Sequence, residues 1–369
     1  MRGEQVLMKG NEAIAEAAIR AGCRAYFGYP ITPQNEIIAY MARHLMDRGG
    51  VFIQAESEVA AINMVYGASC AGVRAMTSSS SPGVSLKQEG ISYAAGADIP
   101  LVLVNVVRGG PGLGSISPAQ SDYFQSTRGG GHGDYRCIVL APQSVQECAD
   151  LTALAFELSD RYRMPAILQA DGIIGQMMEG VRLPDPVDPA APAGSPGAVP
   201  SRDWAVGHRD NRPSRHITSI FLVPEELEAR NRARFARYEL VKERETRFEA
   251  LGCEDADVIV VAYGTCARVA LGARQLALEE GIRAGIFRPV TLWPFPGKAL
   301  GRLAAGGRPV LTVEMSQGQL VEDVKLALFD AGRGAGPGLR LLGHSGGVVP
   351  TEEEVFAEIR RMLRKGAES

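Results

Sequence analysis

Three polar side chains stand where apolar runs of the sequence end, and each has a chemistry suited to binding a small ligand. Thr32 lies between two prolines, which restrict the backbone and hold its hydroxyl in a defined direction. Glu58 follows the run VFIQAES, and Arg108 follows the run LVLVNVV. The guanidinium fork of arginine matches the two oxygens of a carboxylate. A carboxylate that enters a packed site needs a partner that donates a hydrogen bond or carries positive charge.

Each of these segments also has a purely structural interpretation. Thr32 could cap the helix that follows it, and Glu58 could be an ordinary acidic residue in a first helical turn. The run Ser78–Ser81 predicts a flexible polar loop that could line a ligand or be nothing more than a loop. The glycines after Arg108 lack the spacing of a dinucleotide fingerprint, and no helix-like segment follows them, which excludes a Rossmann site there.

The elements around these residues predict an α/β fold. Helix-like segments alternate with short apolar runs over the first half of the chain, as in βαβ units with a parallel sheet. The predicted helices are Asn11–Ala21, Gln34–Asp47 and Val145–Asp160, and the predicted strands are Ala25–Tyr29, Val51–Ala55, Leu101–Val107, Cys137–Ala141 and Ala166–Gln169. Ligands of such sheets bind at the carboxyl ends of the strands, where Thr32, Glu58 and Arg108 can converge on one crevice.

The second half of the chain predicts another α/β unit. A segment rich in Pro, Ala and Gly over 183–200 can sustain neither a helix nor a central strand and is typical of a surface connector. A charged helix over Pro224–Leu251 comes next, and strands and helices alternate again from Ala256. We therefore divide the chain into a first domain at 1–182, a linker with the charged helix at 183–253 and a second domain at 254–369.

Composition narrows the classes of function. The net charge is -3, and no stripe of Lys and Arg indicates nucleic-acid binding. The longest apolar runs are strand-sized, which predicts no membrane span, and the mixed charges of the first residues are unlike a signal peptide, so we expect a cytoplasmic protein. The six cysteines are scattered and form no C-x-x-C pair, so the sequence encodes neither a zinc site nor an iron–sulfur cluster.

In combination, the motifs resemble one enzyme family over nearly the whole chain. The order YPITP, ESEVAAINMVYGAS, TSSSSPG and RGGPGLG, followed by VAYGTCAR, FRPVTLWPFP and VEMSQGQL, is similar to the alpha subunits of the 2-oxoacid:ferredoxin oxidoreductases. The resemblance implies two parallel-sheet α/β domains, a pyrimidine-type domain that binds thiamine diphosphate and a transketolase-C-terminal-like domain. It also implies oxidative decarboxylation of a 2-oxoacid to an acyl-CoA, with electrons passed to ferredoxin.

The resemblance assigns roles to individual residues. Glu58 matches the glutamate that hydrogen-bonds the aminopyrimidine ring of thiamine diphosphate and favours its imino tautomer, which removes the proton from the thiazolium carbon. Thr32 and Arg108 match residues that hold the carboxylate and carbonyl of the substrate. Ile31 and His132 are further candidates for the pocket, although a lone loop histidine is commonly just exposed to solvent.

Part of the family's machinery is missing from the sequence. Thiamine enzymes hold the diphosphate through Mg²⁺ with a G-D-G motif and a later Asn, but the nearest string here is Ala170-Asp171-Gly172 with no Asn at the right distance. The resemblance therefore implies a beta subunit that carries the diphosphate motif and Mg²⁺. It likewise implies a ferredoxin-like subunit with 4Fe-4S clusters and a gamma subunit.

The substrate is predicted from the stretch 108–136, which is most similar to the branched-chain (3-methyl-2-oxobutanoate) type. No Lys, Arg or His lies between Gly109 and Thr127 to neutralise a second carboxylate, although Arg128 and His132 follow closely. The residues expected to wall an apolar pocket are Leu113, Ile116, Tyr123 and Phe124. The alternatives left open are a 2-oxoglutarate or indolepyruvate enzyme, or a non-catalytic architectural subunit.

Overall fold

A computed structural model describes residues 5–188, 191, 199, 202–206, 215–333 and 338–367. The strands are β1 (Val6–Lys9), β2 (Ala25–Gly28), β3 (Val51–Gln54), β4 (Ala75–Ser79), β5 (Val102–Val107), β6 (Ile138–Leu140), β7 (Ala166–Asp171), β8 (Met178–Val181), β9 (Phe248–Leu251), β10 (Val258–Val261), β11 (Ala284–Pro289), β12 (Thr291–Trp293), β13 (Val310–Glu314) and β14 (Leu339–Gly343). The helices are α1 (Gly10–Arg20), α2 (Asn35–His44), α3 (Glu58–Cys70), α4 (Ser81–Gly96), α5 (Val145–Tyr162), α6 (Gly172–Gln176), α7 (Pro224–Arg244), α8 (Gly264–Glu279), α9 (Gly297–Leu303), α10 (Leu320–Asp330) and α11 (Glu352–Ala367).

The larger sheet has the strand order β12-β6-β7-β5-β4-β2-β3. All its pairings are parallel except that of β12 with β6. The central strand β5 is buried at every position, as expected for a strand covered on both faces. Because the parallel strands run the same way, the turns that follow β2, β3, β4 and β5 lie along one edge of the sheet.

The smaller sheet has the order β14-β13-β10-β11-β9, with β9 the only antiparallel member among the described strands. Its helices α8 and α11 pack together over a core of small and branched apolar residues. The α/β class and the predominantly parallel sheets predicted from the sequence are confirmed.

The two sheets are joined by a strand as well as by side chains. Although β12 follows the smaller sheet's β11 directly in sequence, it pairs with β6 of the larger sheet. The buried Arg288 on β11 donates to Glu147, in the first turn of α5, at 2.7 Å. The domain boundaries proposed at 182 and 253 stay a prediction. The pairing of β12 with β6 and the ion pair of Arg288 with Glu147 show that the two halves of the chain contact each other through both backbone and side chains.

Two predicted segments differ from the structure. Helix α7 ends at Arg244, and residues 248–251, predicted as its last turn, form the edge strand β9. The predicted flexible loop at Ser78–Ser81 does not form: β4 runs through Ser79, and α4 begins at Ser81 with Pro in its first turn, where proline is favoured. Most of the 183–200 connector lies outside the described residues. None of the described helices is both long and apolar enough to cross a membrane.

Candidate functional site

The predicted site residues gather at the carboxyl edge of the larger sheet. Glu58 is the first residue of α3 and follows the short turn after β3, and Arg108 directly follows β5. Thr32 lies in the turn between β2 and α2. Between them, β4 and α4 bring Ser79 to the same edge. This is the position at which open α/β sheets bind their ligands.

Glu58 has a buried carboxylate with spare hydrogen-bonding capacity. The residue is 6% exposed, and Ser57 caps α3 by accepting a hydrogen bond from the Ala60 amide at 3.2 Å. The helix N-terminus stabilises a negative charge at this position. Among the residues that the structure describes, none donates a hydrogen bond to the Glu58 carboxylate. A ligand that presents an N–H group would supply the missing donor.

The start of α4 forms a close cradle next to this carboxylate. A Cβ atom at Gly83 would lie 2.5 Å from Glu58 Oε1 and would also overlap the hydroxyl of Ser79, so only glycine fits. Ser79 and Ser80 are fully buried, and their hydroxyls have no hydrogen-bond partner among the described residues. Buried polar atoms without partners are uncommon in native proteins, so these two hydroxyls are available to a polar ligand.

Lys87 on α4 is a member of the site that the sequence reasoning missed. Its side chain is fully buried, and Nζ donates to Thr77 Oγ1 at 2.9 Å. Burial lowers the pKa of Lys87 to about 8, and the negative charge of Glu58 opposes that shift. The signal was present in the sequence, because Lys87 shares a helical face with the buried Val84 and Ile91.

Arg108 joins two of the predicted segments. Its Nη1 donates to the Thr32 carbonyl at 3.0 Å, and Nη2 donates to the Leu113 carbonyl at 3.1 Å. The guanidinium thus ties the YPITP turn to the glycine-rich loop. Its Nε lies buried without a partner among the described residues, so part of the donor fork remains available. Thr32 is exposed, with Asn35 Nδ2 at 3.5 Å from its hydroxyl.

The two remaining pocket candidates, Ile31 and His132, lie in different parts of the structure. Ile31 is half-buried in the turn next to Thr32. His132 is exposed, and its carbonyl accepts a hydrogen bond from Ser92 Oγ at 2.7 Å. Ser92 lies nine residues beyond Gly83 on the same helix, a separation of about 13 Å at 1.5 Å per residue. The structure therefore brings Ile31 together with Thr32 and Arg108 but places His132 at the other end of α4.

The residues expected to wall an apolar pocket are not assembled within this chain. Leu113 and Ile116 are 83% and 68% exposed on the glycine-rich loop. Tyr123 is fully buried instead and donates to Asp323 on α10 at 2.5 Å. Arg128 also pairs with Asp323, at 3.0 Å. Asp323, in the second half of the chain, thus pairs with the first basic residue after this loop, Arg128.

Asp171, in the string closest to a diphosphate motif, is occupied by protein donors. Its Oδ1 accepts from the amides of Ile173 and Ile174 at the start of α6 and from the Thr265 hydroxyl at 2.6 Å. Its Oδ2 accepts from the Thr265 amide at 2.8 Å. Burial raises the pKa of this carboxyl despite those donors. Asp171 therefore links the two halves of the chain. Within the described ranges, no three His, Cys, Asp or Glu side chains are grouped to hold a metal ion.

Comparison with known families agrees with the fold. Residues 16–219 match the thiamine-diphosphate-binding family of pyruvate flavodoxin/ferredoxin oxidoreductases, and residues 256–355 match core domain II of pyruvate:ferredoxin oxidoreductase. The chain belongs to this oxidoreductase family.

Individual relatives refine the position within the family. The chain is 51% identical over 324 residues to the ketoisovalerate oxidoreductase subunit VorB of Methanothermobacter marburgensis, covering 87% of this chain and 89% of that protein. It is 36% identical over 391 residues to the 2-oxoglutarate synthase subunit KorA of Methanothermobacter thermautotrophicus, covering 98% of this chain and all of that protein. The predicted similarity to the branched-chain type is confirmed.

Solved structures show the same architecture. The 2-oxoglutarate:ferredoxin oxidoreductase of Magnetococcus marinus, with 2-oxoglutarate, coenzyme A and succinyl-CoA bound, superimposes with a TM-score of 0.84 at 27% identity. The match covers 98% of this chain but only 65% of that one, so the solved enzyme carries additional chain. A split-gene transketolase in an inactive beta4 tetramer matches with a TM-score of 0.59 at 16% identity, which shows a shared fold alone.

Proposed function

We propose that this chain supplies the pyrimidine side of a thiamine diphosphate site in a 2-oxoacid:ferredoxin oxidoreductase that forms an acyl-CoA from a branched-chain 2-oxoacid. The observation that carries the proposal is the buried Glu58 carboxylate, which no described residue hydrogen-bonds. Thiamine diphosphate, when bound, would supply a thiazolium carbon that is nucleophilic toward the 2-oxo group once it has lost its proton.

Glu58 is the proposed proton-sharing residue of the site. Its carboxylate fits a nitrogen of the aminopyrimidine ring, because it is buried at the N-terminus of α3 and accepts nothing from the described chain. The glycine at position 83 lets the start of α4 approach the carboxylate closely, and the hydroxyls of Ser79 and Ser80 have unused hydrogen-bonding capacity there. A purely architectural subunit would have no use for a buried carboxylate held in this state.

Thr32 and Arg108 are the proposed binders of the 2-oxoacid. Arg108 Nε has no partner in the described chain, and two further guanidinium N–H groups remain beyond the two that hold the Thr32 and Leu113 carbonyls. Ile31 lies beside Thr32 as part of the same wall. His132 can contribute to the pocket only if the loop that carries it moves towards Arg108.

The rest of the site is proposed to come from partner chains. A beta subunit holds the diphosphate and Mg²⁺, because the Asp171 carboxylate of this chain is already taken up by Thr265 and α6. A ferredoxin-like subunit carries 4Fe-4S clusters and passes electrons to ferredoxin, and a gamma subunit completes the assembly. Relatives are themselves named as subunits.

The substrate preference is tested on the assembled complex. With 3-methyl-2-oxobutanoate, phenylpyruvate, pyruvate and 2-oxoglutarate, we expect acyl-CoA formation to be fastest with the branched or aromatic acids. Leu113 and Ile116 project from the loop that Arg108 holds, while Arg128 is engaged by Asp323. An apolar pocket discriminates by about 1–3 kcal/mol per methylene, so related oxoacids should overlap in use. A clear preference for 2-oxoglutarate, the substrate that the KorA relatives suggest, contradicts this prediction.

Arg108→Lys should weaken binding of the 2-oxoacid more than binding of the cofactor. An ammonium group cannot reproduce the planar fork, and the lost charged hydrogen bond is worth about 1.5–3 kcal/mol, or roughly tenfold or more in KM. Steady-state kinetics of the complex measures this effect, with Arg232→Lys on the exposed face of α7 as the matched control. An unchanged KM together with a lower melting temperature means that Arg108 only pins the glycine-rich loop.

A further inference from the structure

Lys87 is a buried cation for which the described chain provides no ion-pair partner at contact distance. Its side chain is fully buried in the middle of α4, and the one hydrogen bond from Nζ goes to a neutral hydroxyl, that of Thr77. Burying an unpaired ammonium group is costly. A neutral residue such as methionine would fill the same space without that cost, so the charge itself calls for an explanation.

Few charged groups lie near Lys87 among the described residues. Helix α3, packed against α4, contributes Glu58, and strand β4 contributes the neutral Thr77. Glu58 is the one titratable group with a resolved electrostatic influence on Lys87 among the described residues. The two groups are more than a hydrogen bond apart, and the cradle at Gly83 lies beside the carboxylate.

We propose that Lys87 is a positioning residue that keeps Glu58 ionised through the low-dielectric core of the site. The proposal rests on the role proposed for Glu58. A ring that covers Glu58 excludes water, which by itself favours the protonated, uncharged acid. The fixed positive charge of the buried Lys87, one helical turn along α4 from the Gly83 position that meets Glu58 Oε1, opposes that shift. Glu58 therefore retains the charge with which it attracts and shares a ring proton.

The coupling is reciprocal, so it can be measured from the lysine without cofactor. The chain has six lysines, and labelling their ε-carbons with ¹³C allows the Lys87 resonance to be assigned by its loss in Lys87→Met. In the full chain, Glu58→Gln should lower the pH at which Lys87 titrates by about one unit, because the attracting charge is removed. Glu56→Gln, two residues away on the exposed surface, is the matched control and should leave it unchanged.

The loaded complex gives the second readout. In Lys87→Met, the near-ultraviolet circular dichroism that distinguishes the imino from the amino tautomer should lose its imino band over a pH range in which wild type retains it, and Lys87→Arg should restore the band. Lys298→Met removes an exposed lysine as a control. Should Lys87→Met fail to fold, Lys87→Arg also removes the Lys87 resonance and assigns it, and the effect of Glu58→Gln on the titration of that resonance still decides the question.

The outcomes separate this proposal from the proposed function. A Lys87 titration that does not respond to Glu58→Gln overturns the coupling, even where Glu58→Gln abolishes proton exchange on the cofactor. A titration that moves as expected supports the coupling, and if Glu58→Gln then leaves proton exchange on the cofactor intact, only the role proposed for Glu58 fails.

Discussion

Glu58→Gln is expected to slow proton exchange at the thiazolium carbon by about 100-fold or more while the complex still assembles. Glutamine has the shape of glutamate and can form a hydrogen bond, but it cannot share a proton with the pyrimidine ring. The loss of a general acid–base contribution is typically of this size. Hydrogen–deuterium exchange at the cofactor carbon, followed by quenching and NMR, measures the step directly.

The matched control for this experiment is Glu56→Gln. Glu56 is exposed two residues earlier and precedes the capped start of α3, so its amide should leave exchange unchanged. Normal exchange in Glu58→Gln, combined with slow exchange in Glu56→Gln, shows that the other carboxylate is the functional one. Normal exchange in both variants favours the architectural alternative for this subunit.

The second large effect concerns the chain by itself. The purified chain should be folded but show no turnover of any 2-oxoacid, and thiamine diphosphate with Mg²⁺ should leave its melting temperature unchanged. A ligand adds stability that grows with the ratio of its concentration to its Kd, so a ligand that barely binds leaves the melting temperature unchanged. Among the described residues, no three His, Cys, Asp or Glu side chains are grouped to hold Mg²⁺, and Thr265 occupies the Asp171 carboxylate. Circular dichroism, thermal unfolding and an acyl-CoA assay test the three parts.

Co-expression with a beta subunit that carries the diphosphate motif provides the positive control. The complex should bind thiamine diphosphate, become more heat-stable with it and form acyl-CoA when the iron–sulfur subunit and ferredoxin are present. Turnover by the isolated chain, at a rate comparable to that of the complex, rules out the shared site.

The convergence of Thr32, Glu58 and Arg108 was predictable because it depends on topology. Each residue follows an apolar run of strand length, and the carboxyl ends of parallel strands share one edge of the sheet. Once the alternation of strands and helices is recognised, no knowledge of distant packing is needed to place these residues together. At that edge Arg108 Nη1 donates directly to the Thr32 carbonyl, whereas no hydrogen bond or ion pair among the described residues joins Glu58 to either of them.

The secondary structure of the polar run at Ser78–Ser81 was not predictable from the sequence. Serine, proline and glycine are typical of a loop in isolation, but the neighbouring strands bury this segment completely and turn it into the end of β4 and the start of α4. Tertiary packing can override local propensity in this way because the free energy of burial exceeds the small differences in propensity.

By itself, the sequence determined the α/β class, the family and the edge of the sheet along which the candidate residues lie, because these follow from short-range periodicity and from motifs in a specific order. Only the tertiary structure decided which polar groups remain available for a ligand. Asp323 binds Tyr123 and Arg128, which were expected near the pocket, Thr265 hydrogen-bonds Asp171, and the core buries Lys87 with Thr77 as its hydrogen-bond partner. These partners lie far apart in the chain. Local sequence patterns predict which residues are neighbours within a turn or a strand, but long-range partners depend on how the two halves of the molecule pack.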